Sequence, residues 1–166
     1  MTMNNKKYLT LFLCLFISAG APYIVADDEI VQHVHLDKLT ASQISGMSGD
    51  LFTFNMGAER SLRHFYVQGN YKYSHFRCMP IQDYVVIGSV SIDEEHVEHG
   101  MYISSGSFKV CEDESMNTCL RKTQIEGLLT DNLSCRLVVG GLFKKSKVIA
   151  DSIVITRDSI LESKNL

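Results

Sequence analysis

"DYVVIGSVSID" (residues 83–93), "GMYISSGSFKV" (100–110) and "RLVVGGLFKKSKVIADSIVIT" (136–156) decide the fold. Each run concentrates Val, Ile, Tyr and Phe in segments of strand length. β-branched and aromatic side chains fit a pleated, half-buried surface, and runs this short favour strands over helices. Gly88 lies inside the first run, where a bulge or sharp bend is expected. The "KKSK" at 144–147 reads as a solvated hairpin tip.

Working outward, "DLFTFNM" (50–56) alternates Leu51, Thr53 and Asn55 against Phe52, Phe54 and Met56. "RHFYVQG" (63–69) and "NYKYSHF" (70–76) are aromatic-rich runs that read as two strands meeting at the turn signal "QGN". "CLRKTQIEGL" (119–128) reads as a further strand, with a short helix near "QIEGLLTDN" (124–132). "LDKLTASQISGM" (36–47) predicts another short helix, with Asp37 as N-cap and Gly46 near its end. The expectation is an all-β chain of seven or eight strands with one or two short helices.

The strand ending in Gly140 and Gly141, the basic turn and the strand reaching Ala150 before "SIVIT" make a rhythm. Together with the two runs ahead of it, this is similar to the strand order of an OB-fold, over residues 83–157. The resemblance implies a small Greek-key barrel in which Gly88, Gly140 and Gly141 allow the strands to curve. The same alternation also supports a β-sandwich.

"KYLTLFLCLFISAGAPYIVADDE" (7–29) follows a lysine pair, is densely apolar only from Tyr8 to Ile17, and loosens at Ser18, Ala19, Gly20 and Pro22. A spanning helix needs about 20 apolar residues. A basic start, a short apolar middle and a small-residue end predict a signal peptide over 1–26, cut after Ala26. The remainder, 27–166, is expected to be one exported domain, in the periplasm or outside the cell, with no transmembrane segment. The whole chain has 16 basic and 19 acidic residues, and loss of Lys6 and Lys7 leaves the mature part at −5. That balance gives no general electrostatic drive toward nucleic acid.

Four cysteines remain after the leader: Cys78, Cys111, Cys119 and Cys135. An even number in an exported chain predicts disulfides. Cys111 and Cys119 close the polar loop "CEDESMNTC", which leaves Cys78 to pair with Cys135. There is no Cys-x-x-Cys pair of the kind that structural zinc sites use.

Two groups of residues carry candidate chemistry. "HVHLD" places His33 and His35 on one face of a strand, and "EEHVEHG" places His96 and His99 beside Glu94, Glu95 and Glu98. Imidazoles with carboxylates can hold zinc or nickel, so these four are candidate metal ligands, and no other cofactor is expected. Their other reading is a pH-sensitive cluster. The stretch "RSLRHFYVQGNYKYSHFR" (60–77) is basic, aromatic and free of acid. Arg63, Tyr66, Tyr71, Lys72 and Tyr73 are its expected ligand contacts, for a glycan, an anionic lipid headgroup or a protein.

There is no Gly-x-Ser-x-Gly elbow and no phosphate-cradling loop. Asp93, Glu94 and Glu95 are too close in sequence to flank a glycosidic bond, which needs carboxyls roughly 5–9 Å apart. The chain therefore reads as an exported, non-enzymatic binding module of the bacterial envelope or the cell exterior. A metal-binding protein and a structural component of the envelope are the alternatives.

Overall fold

The structure is a computed structural model that describes residues 30–165. The expected leader and its cleavage point lie outside the described residues. The elements are β1 (His35–Gln43), β2 (Asp50–Ala58), α1 (Leu62–Gln68), β3 (Tyr73–Ile81), β4 (Tyr84–Glu98), β5 (Met101–Cys111), α2 (Lys122–Leu128), β6 (Leu133–Gly141), β7 (Lys144–Ile155), α3 (Arg157–Glu162) and β8 (Lys164–Asn165). They form one sheet in the order β7-β6-β3-β4-β5-β2-β1-β8. Neighbours run antiparallel, except the two-residue β8, which lies parallel to β1.

The mainly-β expectation holds, but the OB-like barrel does not. β1 is flanked by β8 rather than by β7, so the ladder stays open. An isolated bridge pairs Val31 with Ala150 of β7, and the Val31 N–H donates to the Ile149 carbonyl at 2.8 Å. The sandwich alternative is also corrected, because all the strands belong to a single sheet.

One face of this sheet carries the core. The alternation of β2 buries Phe52, Phe54 and Met56 together with Phe76, Phe108, Leu137 and Ile153 from the neighbouring strands. Phe52 and Phe108 stack at 4.9 Å between ring centres, and Phe54 meets Phe76 at 4.8 Å. Ile125 of α2 and Ile160 of α3 complete the same cluster. Lys122, almost wholly buried, donates to the carbonyls of Leu161 (2.9 Å) and Ser163 (2.7 Å) and ties α2 to the end of α3.

Gly88 marks a close approach rather than a bulge. It pairs in regular register with Phe76 and Phe108, and a Cβ there would stand 1.9 Å from the Ser107 carbonyl oxygen. The irregularity in β4 lies further on, between Ser91 and His96, where β4 spends more residues than β5 opposite.

Three local expectations change. "RHFYVQG" is helical, as α1: Ser61 caps it by accepting from the His64 N–H at 3.0 Å. Its buried Leu62 and half-buried Phe65 and Tyr66 follow helical spacing, and Asn70, at φ 48°, turns the chain out of the helix. "LDKLTASQISGM" is not a helix; most of it is β1, with an irregularity between Asp37 and Thr40 and Lys38 at φ 53°. "CLRKTQIEGL" does not form a strand, because from Lys122 it is α2, the short helix expected a little later.

Candidate functional site

The face opposite the core is polar. Register aligns Thr53 with Ser107 and Ser107 with Ser89, and in the next row Asn55 with Ser105 and Ser105 with Ser91. Thr40 and Thr53 share a hydroxyl–hydroxyl hydrogen bond of 2.7 Å, and Ser105 donates to Asn55 Oδ1 at 3.3 Å. Thr53, Asn55, Ser89, Ser91, Ser105 and Ser107 line a shallow depression of about 330 Å³. Ser89 and Ser91 also line a second groove of about 380 Å³, with Tyr66, Lys72, Tyr73 and Asp93. The two depressions share Ser89 and Ser91 of β4.

Separate devices place each wall of the groove. Tyr66 comes from α1, and its ring lies 6.5 Å from that of Tyr71. Lys72 is fixed through its backbone, with its N–H donating to the Gly140 carbonyl at 2.7 Å. The Tyr73 ring lies over Gly140 and 5.0 Å from the ring of His75. Asp93 and Glu94 come from the irregular part of β4. Partial burial, and secondarily the Asp93 carboxylate, push the Tyr66 phenol above its ordinary value, so it stays a neutral hydroxyl.

Of the five expected contacts, Tyr66, Lys72 and Tyr73 meet in this groove. Tyr71 stands behind them, half-buried against the core, with the Lys144 ammonium 5.4 Å above its ring. Arg63 is exposed on α1 and outside the groove lining. The groove thus offers aromatic faces, hydroxyls, an ammonium group and carboxylates, a set suited to holding a polyhydroxylated molecule.

The four candidate histidines are only partly brought together. His35 and His99 line one small depression of about 250 Å³ with Asp37 and Glu98, and His33 and His96 are not part of that lining. His35 Nε2 lies 3.4 Å from Asp37, His99 Nδ1 3.7 Å from Glu98, and His96 Nε2 3.9 Å from Glu98. Among the described residues, no three His, Cys, Asp or Glu side chains group closely enough to hold a metal ion.

The cysteines are joined as Cys78–Cys135 and Cys111–Cys119. The first pair bridges β3 and β6 at directly opposed positions. It lines a depression of about 560 Å³ with Arg77 and Arg136, another opposed pair. Glu114, from the loop closed by the second disulfide, offsets that like-charge pairing with a contact to Arg77 at 3.0 Å. Sequence reading missed this arginine pair and the serines of β4 and β5, because strand register alone brings them together.

Among the described residues, no helix is long and apolar enough to cross a membrane. Comparison with known protein families, curated proteins and solved structures finds no match for this chain. What fold and surface define is a mainly-β domain joined by two disulfides, with a polar groove on the sheet face away from its core.

Proposed function

We propose that this is an exported binding module whose ligand is a glycan, held in the groove between α1 and β4. One observation carries the reading: Tyr66, Lys72 and Tyr73 converge on a floor of hydroxyls from Ser89 and Ser91. Tyrosine faces give the apolar side of a sugar ring a flat surface, while the hydroxyls, Lys72 and Asp93 exchange hydrogen bonds with its polar edge. The paired cysteines suit an oxidising compartment, which supports export. Binding of the processed chain to an oligosaccharide array, followed by calorimetric titration of any sugar retained, tests the reading. Tyr66→Ala and Tyr73→Ala each weaken binding at least severalfold without a large change in Tm. Retention of no sugar, or an affinity indifferent to both substitutions, would overturn it.

A further inference from the structure

The turn between β6 and β7 consists of two residues, Leu142 and Phe143, between the paired Gly141 and Lys144. Two-residue hairpin turns favour small, flexible residues such as Asn-Gly, for reasons of backbone geometry. Here the positions hold two large apolar side chains that the fold leaves in water, 88% and 101% exposed. Nothing in the core uses them.

Three lysines stand at or next to the base of this tip. Lys72 Cγ and Lys144 Cβ each lie 3.9 Å from where a side chain on Gly141 would begin, so both flank its base. Lys144 also donates to the Gly69 carbonyl, and the exposed Lys145 follows. The two segments that meet here, 60–82 and 132–150, contain no acidic residue, although the whole chain is net negative. Asp93 and Glu94 belong to the lining of the groove, which does not include the turn residues.

We propose that the Leu142–Phe143 tip docks the protein on an anionic phospholipid membrane, with both side chains entering the interface and Lys72, Lys144 and Lys145 facing the headgroups. An apolar point with lysines at its base, between acid-free stretches of chain, complements that surface in charge and in polarity. A protein partner fits less well, because a specific protein interface covers about 800 Å² per side and two turn residues offer a point instead. Lys72 borders both the tip and the groove proposed for sugars, but Leu142, Phe143, Lys144 and Lys145 lie outside the groove lining, so substitutions there let either reading fail alone.

The chain contains no tryptophan, so Phe143→Trp in the mature protein introduces a sole indole reporter. With mixed phosphatidylcholine–phosphatidylglycerol vesicles its emission shifts to the blue and the protein sediments with the lipid. Phosphatidylcholine vesicles alone give little of either, and added salt weakens the binding. In the chain without the reporter, Leu142→Ser with Phe143→Ser lowers sedimentation with the lipid roughly tenfold or more. Lys144→Glu with Lys145→Glu, with Tm as a check on folding, has the same direction of effect. An unshifted indole, equal binding to both kinds of vesicle, or a serine variant that still binds would overturn the proposal.

Discussion

Glu95 holds the first turn of α1 from the neighbouring strand: the Leu62 N–H donates to its Oε2 at 2.8 Å. The same oxygen accepts from the Arg63 N–H at 3.2 Å, and Oε1 accepts from the Ser61 hydroxyl. A helix of seven residues is marginal on its own, so this contact decides where α1, and with it Tyr66, stands over β4. Glu95→Ala leaves the buried Leu62 amide without its acceptor and costs about 1–3 kcal/mol in urea denaturation. It also weakens any groove ligand, through Tyr66. Unchanged stability would show that Ser61 alone suffices as the cap.

A second prediction concerns Gly140. A Cβ there would come within 2.5 Å of the Tyr73 ring, the outer end of a side chain that can swing away. Gly140→Ala therefore displaces Tyr73 from the groove without straining the β6 backbone. Ligand affinity falls by about 1 kcal/mol, roughly fivefold, the scale of one aromatic contact. Tm changes little. A loss of Tm comparable to that of a core mutant would instead place Tyr73 in the packing of β3 on β6.

Much of this fold is legible from sequence. β2 and β4 to β7 announce themselves by β-branched and aromatic runs, and both disulfides follow from loop spacing. α1 is not legible, since Phe65, Tyr66 and Val67 have strand-like propensity and the anchoring Glu95 lies more than thirty residues away. β1 reverses the error: Leu36 and Leu39 stand at helical spacing, yet pairing with β2 wins over local preference. α3 is not read from the sequence at all: its cap Thr156, which accepts from the Ser159 N–H at 3.1 Å, follows directly on a strong strand run. The tyrosines and Lys72 could be suspected from composition, whereas Ser89 and Ser91 become part of a site only through register.

The phenol of Tyr66 gives a third prediction. Burial chiefly, and the Asp93 carboxylate next, disfavour its anion in the folded state. The unfolded chain therefore ionises this tyrosine first as pH rises. Its contribution to stability is full below the ordinary value of about 10 and is lost as pH climbs from there through the raised folded value. Asp93→Asn lowers the Tyr66 pKa only part of the way, since burial remains. Ring-carbon NMR titration resolves it from the other tyrosines. If Tyr66 titrates at the ordinary value of a free tyrosine, its partial burial against β4 is wrong.

The two disulfides make a fourth prediction, because they close loops of very different length. Cys78 and Cys135 are 57 residues apart in sequence, and Cys111 and Cys119 only 8. If each bridge acts by restricting the unfolded chain, the longer loop stabilises more, about 4 kcal/mol against about 2.5 kcal/mol. Cys78→Ala with Cys135→Ala should accordingly lower the urea midpoint further than Cys111→Ala with Cys119→Ala. It should also raise the m-value, since the unfolded chain then exposes more surface. The reverse ranking would mean that the short bridge acts on the folded state. Its route would be the loop that carries Glu114 to Arg77 and, through that contact, the alignment of Arg77 against Arg136.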